Sequence, residues 1–223
     1  QRTEHIENRK GVELSLKHRL PFATDWQLST SVDRLQIDRR ETFLLGENGT
    51  LLNRYSEQGV GASRIVRSLV NQFKTHLFDD QLTLVYGGRY DSFSDVGSKF
   101  TPRAGAIYQF SAEQAVKLLY GRAFRAPSGS EFFGISTSRG NPDLKPETID
   151  TYELVYMYQA SDWRAELVGF ISDWDNGIVL VSCTGCDYYL LEYKNLGASK
   201  SRGVEAVFEA ALKQWKFRET VTY

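Results

Sequence analysis

Across 223 residues the chain carries 25% charged and 13% aromatic side chains, a formal net charge of -1 and a mean hydropathy of -0.39. No stretch approaches the roughly 18 to 20 uncharged apolar residues of a membrane-crossing helix, which excludes a helical membrane protein. A net charge so close to zero gives no field for gathering nucleic acid or anionic lipid, and no basic run interleaved with aromatics occurs, which argues against nucleic-acid binding. A barrel strand escapes the hydropathy test, because its lipid-facing residues alternate with polar, lumen-facing ones.

In chain order, the opening from Gln1 to Asn8 shows neither a secretory leader nor an initiator Met. That leaves a cytoplasmic protein or a mature or truncated piece of an exported one, and the missing Met favours the piece. Period-two alternation follows. Weaker strand candidates lie at residues 11–17, 26–34 and 64–77. The clearest is 82–91, where Leu82, Leu84, Tyr86 and Tyr90 share one face and Thr83, Arg89 and Asp91 the other. In 100–110, Phe100, Ala104, Ala106, Tyr108 and Phe110 oppose Thr101, Arg103 and Gln109. Val116, Leu118 and Tyr120 oppose Lys117, and Tyr152, Leu154, Tyr156 and Tyr158 oppose Glu153 and Gln159. After a weaker candidate at 163–173, Val204, Ala206, Phe208 and Ala210 face away from Glu205 and Glu209. In the last segment Trp215, Phe217, Val221 and Tyr223 oppose Lys216, Arg218, Thr220 and Thr222, with Glu219 interrupting the apolar side. That makes roughly ten strands, most about the length a tilted membrane-crossing strand requires.

A soluble sandwich produces the same alternation, so the connections decide. Short links are expected at 19–24, 78–81, 111–114, 159–162 and 212–214, and long ones at 35–63, 92–99, 125–148 and 174–200. Strict alternation of short and long is what an up-and-down barrel with tight turns at one end demands, and a Greek-key sandwich gives no reason for it. Aromatic residues gathering near strand ends agree, since a ring with a polar tip suits the lipid interface.

Cys183 and Cys186 form a Cys-Thr-Gly-Cys with three readings: a loop disulfide, a thioredoxin-like redox pair, or half of a zinc site. Zinc needs two further ligands, and His5, His18 and His76 are distant and unpatterned. A redox motif should open a helix, whereas this one sits between strand-like runs. A disulfide in an exposed loop is the better reading, and it implies an oxidising compartment.

Three stretches carry a family resemblance. Phe100-Thr-Pro-Arg-Ala-Gly-Ala-Ile-Tyr-Gln-Phe, followed by Lys117-Leu-Leu-Tyr-Gly-Arg-Ala-Phe-Arg-Ala-Pro127, resembles the barrel of TonB-dependent outer-membrane receptors, with Phe124, Arg125, Ala126 and Pro127 as its Phe-Arg-Ala-Pro box. Gly140-Asn-Pro-Asp-Leu-Lys-Pro-Glu resembles the Asn-Pro-Asn/Asp-Leu box of the same family, carried by Asn141, Pro142, Asp143 and Leu144, and Ser199-Lys-Ser-Arg-Gly-Val-Glu205 resembles a later Ser-Arg-Gly-Val-Glu. The three boxes fall in family order; the first eighty or so residues carry none. Read as local structure, Pro127 cannot donate to a sheet ladder and marks a strand leaving the rim, while Asn141 to Pro146 favours turns before re-entry at Glu147.

The resemblance implies an all-β fold: an antiparallel up-and-down transmembrane β-barrel, partial, with about ten strands of the 22 that enclose a plug in such transporters. Residues 1–223 are then part of that barrel, with the plug and the remaining strands absent. It further implies active transport of a scarce nutrient across the outer membrane of a Gram-negative bacterium, energised by the TonB complex through the plug. Expected partners are a small ligand, outer-membrane lipid and TonB; no cofactor, catalytic residue or metal site is expected. Ferric siderophore is the favoured ligand, because residues 128–140 lack the histidine expected of a haem receptor. Cobalamin and haem remain alternatives within the family, and a soluble β-sandwich binding module outside it. Candidate ligand contacts are Arg125 and Arg139, for carboxylate or catecholate oxygens, and Phe132, Phe133, Tyr188 and Tyr189, for stacking. Each reads first as an ordinary exposed rim-loop residue and second as a ligand contact.

Overall fold

A computed structural model describes residues 2–56, 59–135, 137–186, 191–212 and 215–223. The alternating pattern is realised as one sheet. Ten long strands run β1 (Arg2–Leu20), β2 (Thr24–Leu45), β4 (Ser63–Leu77), β5 (Leu82–Phe93), β6 (Gly97–Gln109), β7 (Gln114–Arg125), β10 (Glu147–Gln159), β11 (Trp163–Ser182), β12 (Leu191–Leu212) and β13 (Trp215–Thr222). Each pairs antiparallel with its neighbour in that order. Three short strands, β3 (Leu51–Ser56), β8 (Gly134–Ile135) and β9 (Ser138–Arg139), and the helix α1 (Gly129–Phe133) decorate one end.

The register shows why the alternation matters. On one face, successive rows across β7, β10, β11 and β12 read Arg122, Asp150, Asp173, Lys200; then Tyr120, Tyr152, Ile171, Arg202; then Leu118, Leu154, Gly169, Val204; then Val116, Tyr156, Leu167, Ala206. The row of Gln114, Tyr158, Ala165 and Phe208 closes the band. From the Tyr120 row to the Gln114 row, at ~3.3 Å per residue, the band below the charged row extends roughly 20 Å along the tilted strands, near the scale of the apolar belt on an outer-membrane barrel. Tyr86 is 45%, Tyr108 42%, Tyr156 39% and Phe208 46% exposed, so these rings fill no dry interior, and in register they lie on the face opposite the buried Ser68 and Asp91. A sandwich would bury them. Among the described residues the buried apolar side chains are Ile37, Leu144 and Val155 with the loop prolines Pro127 and Pro146, far too few for a soluble core. The opposite face carries Lys117, Glu153, Glu166 and the Arg164–Glu209 ion pair at 2.9 Å.

At the lower end the connections expected at 19–24, 78–81, 111–114 and 159–162 are tight turns. Phe22, Ala23, Phe78, Asp79 and Asp80 take positive φ in the first two of these turns. The turn expected at 212–214 falls partly outside the described residues, although Leu212 pairs with Trp215.

Three expectations need correction. The link at 92–99 is not long: three residues, 94–96, join β5 to β6, so strict short–long alternation fails there. Gly97 supplies the left-handed φ of +78° that the tight reversal needs, and Ser94 Oγ accepts the Ile65 N–H at 3.0 Å to hold the turn down. Residues 35–63 and 174–200 are not simply loops. β2 continues to Leu45 and turns into β3, and β11 and β12 continue past the belt to Ser182 and from Leu191. Alternation is lost there, with Asp38 to Glu41 polar on both faces and Ile178 to Val181 apolar on both, because an emergent hairpin has water on both sides and no period-two pattern to keep.

Candidate ligand site at the barrel rim

β7 ends at Arg125, and the chain leaves the sheet through Ala126 and the fully buried Pro127. Ser128 caps α1: its Oγ accepts the Glu131 N–H at 3.3 Å while its own N–H donates to Glu131 Oε2 at 2.7 Å. Arg125 clasps this turn bidentately, donating from Nη1 and Nη2 to Glu131 at 2.8 and 2.9 Å, and from Nε to Glu147 Oε2 at 2.5 Å. The other Glu147 oxygen accepts the Ile178 N–H at 2.7 Å. One guanidinium thus ties the end of β7, the start of β10, the loop between them and, through Glu147, the emergent part of β11.

The electrostatics follow. Burial alone would raise the Glu131 carboxyl, but the hydrogen bonds from Arg125 and Ser128 outweigh it and hold it below the usual range. Burial likewise opposes the charge on Glu147, and Arg125 with the Ile178 N–H depresses it. The two carboxylates raise Arg125 further above its ordinary value, with Glu131 the larger contributor.

The second box is stitched to β12. Asp143 N–H donates to Asn141 Oδ1 at 2.9 Å in an Asx turn, and Asn141 Nδ2 donates to the Tyr193 carbonyl at 3.0 Å. Asn195 accepts the Lys145 N–H at 2.8 Å and donates to its carbonyl at 2.9 Å. Leu144 is 4% exposed beneath this turn, and Pro142 leads into it. β9 pairs in parallel with β12, setting Arg139 beside Glu192.

Of the six candidate contacts, Phe132 and Phe133 are half-buried on α1 with ring centroids 5.4 Å apart, and Arg139 is exposed. Cys183 and Cys186 form a disulfide, and Arg139 Nη1 lies 3.8 Å from Cys186 Sγ. The structure therefore brings Arg139 to the cystine hairpin. Arg125 sits apart from it, engaged by Glu131 and Glu147. Tyr188 and Tyr189 lie outside the described residues. Phe124 packs edge-on against Phe93 at 5.6 Å.

The sequence marks Arg89 and Asp91 only as the polar face of their strand and does not announce two polar groups that the fold assembles. Inside the bore, a groove of about 450 Å³ is lined by Arg9, Asp33, Arg89 and Asp91 among others. Asp91, 1% exposed, accepts from Ser68 at 2.5 Å and from Arg89 at 2.7 Å, and Arg9 meets Asp33 at 2.9 Å. At the rim, Arg40 is 3% exposed and reaches the loop after Pro127. Arg40 stands in an Asp-Arg-Arg-Glu run indistinguishable from a solvated charge cluster, and no sequence signal marks it.

These features define a transmembrane antiparallel β-barrel wall crowned by structured rim loops. A family profile described as "TonB dependent receptor-like, beta-barrel" matches residues 69–223, and the chain belongs to that family of outer-membrane receptors. An iron-regulated outer membrane virulence protein of Vibrio cholerae is 36% identical over 112 residues, 47% of this chain and 17% of that protein. The vitamin B12 transporter BtuB of Vibrio cholerae is 33% identical over 124 residues, 55% of this chain and 19% of that protein. The chain thus spans less than a fifth of these relatives. Among solved structures, the siderophore receptor PirA of Pseudomonas aeruginosa superposes on 99% of this chain, and 40% of its own, with a TM-score of 0.77 at 21% identity. A ferric enterobactin receptor of the same organism gives 0.72 at 20% identity, over 99% of this chain and 36% of its own.

Proposed function

We propose that the chain is the lipid-facing wall and ligand-gathering rim of an active-transport receptor that takes up a ferric siderophore. The remaining strands and a plug, engaged by the TonB complex from the periplasm, come from the rest of the receptor. The observation that carries the wall is the outward belt of Tyr86, Tyr108, Tyr156 and Phe208, which only a hydrocarbon surrounding makes favourable. The ligand class draws on the iron-regulated relative, the siderophore-receptor fold relatives and the absence of histidine from 128–140. Phe132, Phe133 and Arg139 at the rim, with Tyr188 and Tyr189 taken from the sequence that follows Cys186, supply stacking surface and a guanidinium for an anionic chelate; Arg125 holds the loop that carries the first two. This is binding and translocation without covalent chemistry.

Deleting the full-length gene in a strain starved of iron tests this. Growth on one ferric chelate should fail and return with the gene. A deletion strain that grows on every chelate but loses cobalamin uptake overturns the iron reading in favour of the cobalamin one, which the 33% identity to BtuB supports.

A further inference from the structure

The bond between Arg40 and the loop after the Phe-Arg-Ala-Pro box crosses the sheet. β4, β5 and β6 lie between β2 and β7, so a contact from β2 to α1 runs as a chord over the concave, bore side. A bulge makes it possible. In the β1–β2 register Glu7 faces Ile37 but Ile6 faces Arg39, which leaves Asp38 as an extra residue. Past it the parity of β2 reverses, turning Arg40 from the outer face to the bore. There Arg40 Nη2 donates to Ser130 Oγ and to the Gly134 carbonyl, both at 3.1 Å, and Nη1 to the Gly129 carbonyl at 3.5 Å.

Packing reinforces the chord. A Cβ on Gly129 would lie 2.7 Å from Ile37 Cδ1, so a side chain there must displace the tip of Ile37, and a branched one crowds the loop away from β2. A Cβ on Gly59 would lie 2.5 Å from the Phe133 ring, and Gly61 N–H donates to the Ile37 carbonyl at 2.8 Å. The β3–β4 turn, β2 and α1 therefore meet around a cavity of about 220 Å³ lined by Ile37, Ala62, Pro127 and Phe133 among others.

We propose that Arg40 is a positioning residue for ligand capture, holding the Gly129–Gly134 segment across the bore mouth so that Phe132 and Phe133 meet the arriving ligand as a fixed surface. This rests on the receptor reading above. A buried guanidinium aimed at loop carbonyls fixes the geometry of that loop more firmly than a solvated side chain can, and a prearranged site loses less entropy on binding.

The test uses the full-length receptor in isolated outer membranes, with R40A, R40K and G129V, and ferric enterobactin and cyanocobalamin as probes. For whichever probe the unmodified receptor binds, R40A should raise Kd about tenfold with the number of sites unchanged. R40K, which still donates to one or two acceptors, should recover part of the loss. G129V should reproduce it with Arg40 intact, and both R40A and G129V should quicken tryptic cleavage after the exposed Arg139. Kd within about twofold in R40A overturns the proposal, whether or not cleavage quickens. An unmodified receptor that binds neither probe, nor any ferric chelate that supports growth of an iron-starved strain carrying its gene, overturns the receptor reading and the proposal with it.

Discussion

In the wall, Leu118 is 60%, Leu154 56% and Tyr152 50% exposed, whereas at the rim Ser138 is 1%, Arg40 3% and Leu144 4% exposed. Apolar groups face outward in one region and polar groups are buried in the other, the reverse of a soluble protein in both. In the wall the hydrocarbon solvates the side chains, so a residue's parity along its strand decides its environment. At the rim, water surrounds a small knot of loops, and Arg40, Arg125 and Glu147 are each held by particular partners, most of them distant in sequence. Substitutions should accordingly depend on parity in the wall and on partner identity at the rim.

The largest separation is expected in the wall itself. Leu154→Arg, at mid-belt on the outer face, should destabilise the folded barrel by about 2–4 kcal/mol, whereas Glu153→Gln beside it should change little. Denaturant midpoints of the full-length receptor in lipid vesicles measure both; similar costs at the two positions would break the contrast. Next comes Arg125→Ala, which strands Glu131 and Glu147 with side chains 13% and 10% exposed. Because the guanidinium itself is 47% exposed, the cost should be about 1–3 kcal/mol, short of a fully buried pair. It should appear as faster hydrogen exchange at the Ser128 and Ile178 amides, leaving the belt unaffected.

The pH response sharpens the rim half of the comparison. Glu131 and Glu147 have folded values below their ordinary ones, so their contribution is complete above the unfolded glutamate value of about 4.3 and is lost as pH falls through the depressed values. Protection of the Ser128 and Ile178 amides should hold at neutral pH and fade below about pH 4. In the E131Q/E147Q double variant that pH dependence should flatten. The smallest effect is expected from replacing Cys183 and Cys186 with serine. A disulfide three residues apart closes a short loop, so the loss should stay under about 2 kcal/mol and remain within the β11–β12 hairpin. A change in the overall unfolding midpoint would contradict that locality.

The same contrast explains what could be read from the residues alone. All ten long strands were legible, because Leu82 to Tyr90 or Tyr152 to Tyr158 must alternate to face lipid on one side and the bore on the other. The emergent parts of β2, β11 and β12 were not, since a hairpin in water imposes no such pattern. The reversal at 94–96 was overestimated in length because Ser-Asp-Val-Gly reads as loop composition while Gly97 makes a tight turn feasible. At the rim, Pro127 and the Asn141 turn announced their backbone geometry. The partners Arg125–Glu131–Glu147 and Arg40–Gly134 are set by how strands converge at the mouth, and a bulge at Asp38 decides the second. Local sequence does not encode that convergence.

The central claim is the outward belt, and spin labels at alternating positions test it most directly. With the full-length receptor in lipid vesicles, labels placed singly at positions 152 to 157 should alternate. Labels replacing Tyr152, Leu154 and Tyr156 should be accessible to oxygen dissolved in the bilayer and shielded from a water-soluble nickel chelate, and those replacing Glu153, Val155 and Met157 should be shielded from lipid. Labels at Leu154 and Tyr156 that meet the chelate freely, or that are shielded from both reagents as in a packed core, would contradict the account.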